Sequence, residues 1–387
     1  MRNTVRIIIV ALMFLAGASI VVEFAARQGR DQTSIPDEGA QNDRDAAFAN
    51  RPRKIIEFGW GEPNTRWVSQ NIRRMERMPF DGLVMSARYL RPTGEDMIFA
   101  MNAFGTEEIT WEQLGPALGY LKQTQFRYFT DNFLRVNTSP GTVDWFDDYS
   151  IPVANLGRAA RFAREGGLKG LVFDLEPYQS DLFRYRKQRY HESHSFAEYE
   201  AQARLRGQEV MRAIQTEYPG ITLFLTFMYD QAGEQRSRLP ELRYGLLPAF
   251  LDGLLAEAQG NTTIVDGFEA SYPFAELKQF RWGYNIIHAP KRPLCNEPEK
   301  HHRHVDAGFG IWMDLDSHER GWNTRNFQRN GFTPGAFTNS LKAALTTTDR
   351  YVWVYTQQPK WWTNENLPPA YTQAIVKARK QLNIRRR

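Results

Sequence analysis

Short apolar runs alternate with longer amphipathic stretches from Lys54 to the end of the chain. Short runs bounded by turn residues are typical of strands, and the longer stretches repeat their apolar residues with helical spacing. This alternation predicts βαβ units and a parallel sheet. The predicted strands are Ile55 to Trp60, Gly82 to Ser86, Phe126 to Thr130, Gly170 to Leu175, Thr222 to Met228, Ile264 to Ala270, Gly308 to Met313 and Tyr351 to Thr356.

A helix is predicted after each of these strands. The predicted helices are Thr65 to Arg77, Trp111 to Gln123, Val153 to Glu165, Phe196 to Glu217, Leu246 to Ala258, Phe274 to Tyr284, Thr333 to Ala344 and Ala370 to Leu382. Eight strand–helix pairs indicate a protein of the α/β class with a single (β/α)8 TIM barrel over residues 54–387, whereas open doubly wound sheets more often have about five or six strands. A nucleotide-binding turn is not expected after the first strand, because Pro63 lacks the backbone N–H that a phosphate would need.

The start of the chain has the composition of an export signal. Arg2 and Arg6 precede an uncharged run from Ile7 to Val22, and Glu23 ends that run before the roughly 20 residues that cross a membrane. Residues 1–26 are therefore predicted to be a signal peptide, with a signal anchor as the alternative. The polar residues 27–53 are predicted to form a flexible tether. The protein is thus expected to be exported, as a periplasmic, secreted or membrane-anchored protein.

The composition of the chain limits the kinds of molecule that the protein is expected to bind. The chain has 49 basic and 44 acidic residues, a net charge of +5, and its basic residues are dispersed rather than gathered on one stretch. This pattern argues against binding to nucleic acid. The single cysteine, Cys295, excludes a disulfide framework within the chain. The aromatic share of 13% favours a globular protein with an aromatic-lined cleft.

Carboxylates and aromatic residues collect at the carboxyl ends of the predicted strands, where barrel enzymes carry their active sites. On strand four, alternation directs Asp174 and Glu176 to one side, with Val172 below them. Two neighbouring carboxyl groups suit acid–base chemistry, because an ionised one raises the proton affinity of the other. Further residues predicted to contact substrate are Trp60, Asp131, Asn132, Tyr178, Tyr229, Asp230, Tyr272, Trp312, Tyr355, Gln357 and Trp361. Glu57, in the middle of strand one, is predicted to be a buried partner of an arginine such as Arg88.

The strand-four segment resembles the chitinase-like glycoside hydrolases, which carry Asp-x-x-Asp-x-Asp-x-Glu at this place. Asp174 and Glu176 match the last two acidic positions, whereas Lys169 and Val172 occupy earlier ones. The segment Met228 to Asp230 is similar to a second element of that family, although it falls on predicted strand five rather than six. The resemblance implies membership of the wider group of (β/α)8 glycoside hydrolases and a carbohydrate substrate.

The same resemblance implies roles for individual carboxyl groups. Barrel glycosidases of the retaining kind place the acid/base glutamate after strand four and a nucleophile after strand seven, which here implies Glu176 and Asp314. Glu269 on strand six is the rival for the second role. Glycoside hydrolysis needs one carboxyl group to protonate the departing oxygen and another to act on the anomeric carbon, so no cofactor is expected.

Two alternatives belong to other functional classes. A barrel that binds glycans without cleaving them is one, since Gln357 and Gln358 place amides at strand eight where an acid could have served. The other is a metal-assisted hydrolase using His301, His302 and His304. These histidines and Cys295 fit no standard zinc spacing, so no metal site is predicted.

Overall fold

The computed structural model describes residues 52–289 and 293–386. Nearly all strands in this part of the chain belong to one parallel sheet. The strands are β1 (Lys54–Glu57), β2 (Gly82–Met85), β3 (Arg88–Leu90), β4 (Asp96–Ile98), β5 (Phe133–Asn137), β6 (Gly170–Asp174), β7 (Thr222–Leu225), β8 (Thr263–Asp266), β9 (Val305–Ala307), β10 (Phe309–Trp312) and β11 (Tyr351–Tyr355). Only β3 and β4 lie apart, as a small antiparallel hairpin.

The sheet closes on itself into a barrel of eight strands. β9 and β10 are two halves of one strand separated by Gly308, and they pair with β8 and β11 respectively. β11 in turn pairs with β1, which completes the ring. Barrel strands one to eight are therefore β1, β2, β5, β6, β7, β8, β9 with β10, and β11. The predicted (β/α)8 barrel is confirmed.

Each barrel strand is followed by a helix of the outer ring. The helices are α1 (Thr65–Met75), α2 (Trp111–Lys122), α3 (Ser150–Glu165), α4 (Phe196–Glu217), α5 (Leu247–Glu257), α6 (Leu277–Ile287), α7 (Pro298–His304), α8 (Ser317–Arg320), α9 (Pro334–Thr347) and α10 (Pro369–Gln381). Helix α4 begins where predicted because Ser195 and Glu198 form a capping box at its amino terminus. Short 3-10 turns occur at Phe99–Met101, Tyr185–Lys187, Tyr229–Ala232, Arg236–Glu241, Glu269–Ser271 and Phe327–Arg329.

Barrel strand three is not where the sequence pattern predicted it. The run Phe126 to Thr130 is irregular, and the true strand is Phe133–Asn137. Glu76 holds the irregular run in place, since its Oε1 accepts hydrogen bonds from the backbone N–H groups of residues 127, 128 and 129 at 2.6, 2.7 and 3.1 Å. The prediction was wrong because the apolar run lies on the outer layer, whereas the real strand carries Arg135 in its centre.

Two apolar layers lie on the two faces of the sheet. The barrel interior is filled by residues that alternate along the strands, among them Ile56, Val84, Phe133, Val172, Phe224 and Trp353. The intervening residues face the helices and join the larger outer core. This period of two places Asp174 in the interior directly above Val172, as the sequence predicted.

A charged network closes the amino-terminal end of the barrel. Asp131 accepts hydrogen bonds from Arg350 at 2.9 Å and from the Tyr351 hydroxyl at 2.8 Å, and the Lys54 Nζ lies 3.5 Å from it. Burial alone would raise the pKa of Asp131, but its hydrogen bond with Thr130 and the charge of Arg350 bring that pKa below its usual value. Asp131 therefore stabilises the closed end of the barrel.

The predicted signal segment, residues 1–26, and almost all of the predicted tether, 27–53, lie outside the described residues. Within 52–289 and 293–386, none of the helices combines the length and the apolar character needed to span a membrane.

Candidate active site

Barrel strands three and four are joined at the mouth by a buried arginine. Arg135 Nη2 donates to Asp174 Oδ2 at 2.8 Å, and Nη1 donates to the two Glu62 oxygens at 3.1 and 3.2 Å. The Tyr178 hydroxyl also donates to Asp174 Oδ2, at 2.8 Å. Asp174 is thus an ion-paired carboxylate that is held from two sides.

Glu176 lies one alternation step further towards the mouth. Its backbone N–H donates to Asp174 Oδ1 at 3.1 Å, and its carbonyl oxygen accepts from Asn137 Nδ2 at 3.2 Å, so its backbone is fixed on both sides. Burial and the charge of Asp174 raise the pKa of Glu176 to about 7, although Arg243, Tyr178 and Arg135 act in the opposite direction. This carboxyl group can gain or lose a proton near neutral pH.

Glu269 enters the mouth from barrel strand six on a short 3-10 turn. The turn begins after Phe268, whose φ of 39° lies in the left-handed region, and Ser271 Oγ ties it to the Gly310 carbonyl oxygen at 2.8 Å. Burial and the charges of Glu176 and Asp174 hold the pKa of Glu269 well above its usual range. Glu176 and Glu269 are therefore electrostatic neighbours.

Asp314, the expected second carboxylate, is buried and fully engaged. It accepts hydrogen bonds from Trp312 Nε1 at 3.0 Å, from Ser317 Oγ at 2.7 Å, and from the backbone N–H groups of residues 357 and 358 at 3.0 and 2.9 Å. Its side chain is 0% exposed. Asp314 thus ties the loop after barrel strand eight to barrel strand seven, and Glu269 is the carboxyl group that lies near Glu176.

Several of the predicted substrate-contacting residues surround this pair. The Tyr272 and Tyr355 rings stack in the interior with centroids 5.5 Å apart, and Trp312 stacks on His318 at 5.4 Å. The charge of Asp230 raises the pKa of Glu269, which places Asp230 near the pair. At the rim are Tyr178, Gln357, whose backbone N–H is bound to Asp314, and Trp60, which is 40% exposed.

Four of the predicted contacts lie away from the mouth. Asp131 and Asn132 precede the true barrel strand three and are at its amino-terminal end, where Asn132 Nδ2 donates to the Phe129 carbonyl oxygen at 2.9 Å. Tyr229 points outwards and donates to Asp252 Oδ1 of helix α5 at 2.7 Å. Trp361 is buried in the outer core, 4.9 Å from the Phe80 ring. These four predictions were wrong because strand three was misplaced and because alternation does not continue into loops.

The mouth also contains residues that the sequence pattern did not single out. Arg135 and Asn137 were hidden by the misplaced strand. Arg243 and Tyr244 lie in the long loop after barrel strand five, which offers no periodic signal. The Tyr244 ring is buried, and burial and the charge of Glu176 raise the pKa of its hydroxyl.

The histidine cluster lies on helix α7. His301 and His304 are buried on helix α7, His304 Nδ1 lies 2.9 Å from the Thr262 carbonyl oxygen, and His302 is exposed. Within the described part of the chain, no three His, Cys, Asp or Glu side chains are grouped so as to hold a metal ion.

Glu57 accepts a hydrogen bond from Trp362 Nε1 at 3.0 Å, whereas Arg88 pairs with Asp96. The predicted pairing of Glu57 with an arginine was therefore wrong.

Comparison with known proteins finds matches among solved structures. No protein-family model and no curated protein sequence matches it. Its structure is similar to that of a GH5-4 broad-specificity endoglucanase from an uncultured bacterium, with 11% identity, a TM-score of 0.41 and coverage of 87% of this chain and 95% of the other. It is also similar to GH5_18 from Streptomyces cattleya in complex with GlcNAc, with 10% identity, a TM-score of 0.47 and coverage of 86% and 81%. A third similar structure is a glucosidase from Croceicoccus marinus, with 10% identity, a TM-score of 0.45 and coverage of 86% and 68%. At such identities the likeness concerns the fold, and residue roles depend on the geometry of this chain.

Proposed function

We propose that the protein is a glycoside hydrolase in which Glu176 and Glu269 are the two reacting carboxyl groups. The observation that carries this proposal is their placement: two half-buried, mutually repelling carboxyl groups follow barrel strands four and six, in a mouth lined with aromatic rings. Neighbouring buried carboxyl groups do not ionise together, so at neutral pH one is an acid while the other is an anion. Glycoside hydrolysis requires this division.

The surroundings of the two groups assign the proton to Glu269. Glu176 is near the cations Arg243 and Arg135, both of which favour its anion. Glu269 has a hydrogen bond with Tyr272 but is near the negative charges of Glu176, Asp174 and Asp230. Glu269 therefore retains its proton to a higher pH than Glu176. In this assignment Glu269 is the general acid, whereas the strand-four motif implied that role for Glu176.

The reaction follows from these protonation states. Glu269 donates its proton to the glycosidic oxygen as the bond from that oxygen to the anomeric carbon breaks, and the Glu176 anion stabilises the positive charge that develops on the sugar. Water then adds to the anomeric carbon, and the proton that it loses returns to the Glu269 carboxylate, so both groups are restored. The ion pair of Asp174 with Arg135 keeps a fixed negative charge beside Glu176, which raises the pKa of Glu176. The exposed Trp60 indole at the rim offers a flat face on which a sugar ring can stack.

Matched amide variants test the roles. Glu269→Gln should lose about a hundredfold or more in kcat on natural glycans but much less on aryl glycosides, whose leaving groups need no proton. Glu176→Gln should lose activity on both substrates. In the unmodified enzyme, kcat/KM should rise with pH around 7, as Glu176 ionises. If Glu176→Gln is the variant that spares aryl glycosides, the two roles are reversed.

The non-catalytic alternative is tested by the same protein. Titration of a panel of glycans, with product analysis by chromatography, separates binding from cleavage. Tight binding of a glycan that is never cleaved would favour a glycan-binding barrel over a hydrolase.

Export is part of the same proposal, and it is supported by the uncharged run from Ile7 to Val22. We expect the protein outside the cytoplasm. Recovery of an intact amino terminus at Met1 from a soluble cytoplasmic pool would contradict this expectation.

A further inference from the structure

Three segments meet in one surface at the amino-terminal end of the barrel. Barrel helices end where barrel strands begin, so the last turns of helices α1 and α10 lie at this end, together with the irregular run after helix α2. Arg386 joins the three segments: its Nη1 donates to the Glu76 carbonyl oxygen at 2.7 Å, and its guanidinium carbon is 5.1 Å from the centroid of the Tyr128 ring. Arg379 of helix α10 binds the carboxylate of Asp81, which follows helix α1.

Exposed basic side chains cover this surface. The basic face is defined here by four exposed residues, Arg77, Arg127, Lys380 and Arg385. Segments 65–81, 121–131 and 369–386, which are described in full, contain no exposed aspartate or glutamate. Their acids are buried and bound within the protein. Basic residues that are dispersed along the sequence are therefore gathered in space, and the exposed side chains of these segments do not neutralise their charge.

The chain enters the barrel at this face. The first strand begins at Lys54, and the backbone N–H of Ile55 donates to Asp81 Oδ2 at 2.8 Å. The uncharged run from Ile7 to Val22 is therefore joined to the body of the protein at the basic face. A flexible tether over residues 27–53 would have a root-mean-square span of about 30 Å, which would keep this face close to any membrane that holds the apolar run.

We propose that the basic face docks on a membrane surface that contains anionic phospholipids, with the barrel mouth facing away from the lipid. Anionic headgroups attract clustered lysines and arginines, and a basic patch strengthens the hold of a single apolar segment on a membrane. Tyr128 is 50% exposed within the face and has the amphipathic ring that is enriched at headgroup depth. The apolar run joined to this face favours lipid over nucleic acid as the anionic partner. The inference goes beyond the proposed reaction and does not depend on it.

Sedimentation with lipid vesicles tests the proposal. Full-length protein is mixed with vesicles of phosphatidylcholine, or with vesicles of an equimolar mixture of phosphatidylcholine and phosphatidylglycerol. The ratio of the two partition coefficients is the quantity measured, because an apolar amino terminus would bind both kinds of vesicle. We expect the anionic vesicles to bind the protein at least about tenfold more tightly. This preference should be lost at about 1 M salt, where charges are screened over roughly 3 Å.

A variant with four substitutions removes the charge of the face. It combines Arg77→Gln, Arg127→Gln, Lys380→Gln and Arg385→Gln. Its partition coefficient on anionic vesicles should fall about tenfold or more, because each basic side chain near the lipid surface contributes to binding. The matched control removes the same charge from exposed residues of the loops at the mouth, with the substitutions Lys187→Gln, Arg238→Gln, Arg325→Gln and Arg329→Gln. The control should keep the preference, and melting temperatures of both variants verify that they fold.

Three outcomes would overturn the inference. The first is equal binding of the parent protein to both kinds of vesicle. The second is an equal loss of preference in the two variants, since the charge would then act through the molecule as a whole. The third comes from titration with a double-stranded oligonucleotide at the same salt: binding that depends on the basic face, without a preference for anionic vesicles, would assign the face to nucleic acid. None of these results bears on glycan cleavage, so the hydrolase proposal would stand.

Discussion

At the scale of single residues, the carboxyl groups of this barrel differ in what surrounds them. Asp314 accepts hydrogen bonds from four donors and has no exposed surface, whereas Glu269 has a hydrogen bond with Tyr272 and is near other carboxylates. A group that is fully hydrogen-bonded is suited to fixing a structure, and one that is poorly compensated is suited to exchanging a proton. Both acids follow the carboxyl ends of barrel strands, so sequence position could not distinguish them.

This contrast predicts opposite effects for two amide substitutions. Asp314→Asn should lower the free energy of unfolding by about 2 kcal/mol, because the new NH2 group faces donors instead of accepting from them. The kcat of the folded variant on an aryl glycoside should stay within a few-fold of the parent value. Glu269→Gln should lose kcat on natural glycans without a loss of stability. Urea denaturation and steady-state kinetics of both variants measure these quantities, and a selective loss of kcat in Asp314→Asn would return the second catalytic role to Asp314.

At the scale of secondary-structure elements, seven of the eight barrel strands could be located from hydrophobic pattern alone. Apolar runs such as the one around Val172 are strands because both of their faces are buried, one in the barrel interior and one against the helices. Barrel strand three does not follow this pattern. It is interrupted by Arg135, whose burial is compensated by Glu62 and Asp174, two residues that are distant in sequence. A local sequence pattern cannot show that Arg135 pairs with these two carboxylates.

The site was predictable to a similar extent and for the same reason. Asp174 and Glu176 could be paired because Asp174 ends barrel strand four and Glu176 follows it two residues later, so the two must lie close together. The proximity of Glu269 to Glu176 depends on barrel closure and on the turn after Phe268, neither of which a local pattern encodes. Arg243 lies in a loop, where no periodic pattern predicts the direction of a side chain.

The irregular run from Phe126 to Thr130, which the sequence pattern predicted to be a strand, leads to a prediction about stability. Glu76→Ala removes the carboxylate that accepts hydrogen bonds from the backbone N–H groups of residues 127, 128 and 129. Two of these hydrogen bonds are short, at 2.6 and 2.7 Å. Hydrogen bonds to a charged acceptor are among the stronger ones, so the free energy of unfolding should fall by about 3 kcal/mol. Urea denaturation measures the change. Glu192→Ala, at an exposed glutamate, is the control, and equal stability of the two variants would mean that solvent replaces Glu76 without cost.

At the scale of the whole molecule, the protein keeps several buried carboxyl groups away from their preferred ionised state. Glu57 is 4% exposed and accepts a hydrogen bond from the Trp362 indole, and burial raises its pKa from 4.5 to about 8. The raised pKa of Glu176, about 7, acts in the same direction. Between the unfolded and folded pKa values, the folded protein binds protons that the unfolded chain has released, so the free energy of unfolding falls as pH rises.

Glu57→Gln should therefore flatten the pH dependence of stability. The fall between pH 4.5 and about 8 amounts to at most about 1.4 kcal/mol per pH unit for one group, and the amide cannot titrate while its oxygen can still accept from Trp362. Parent and variant should have similar stability near pH 5, and the variant should be the more stable one at pH 9 by a few kcal/mol at most. Urea denaturation at fixed ionic strength from pH 5 to 9 measures both curves, with Glu192→Gln as the exposed control. Parallel curves for the parent and Glu57→Gln would show that Glu57 ionises in the folded protein as readily as it does in water.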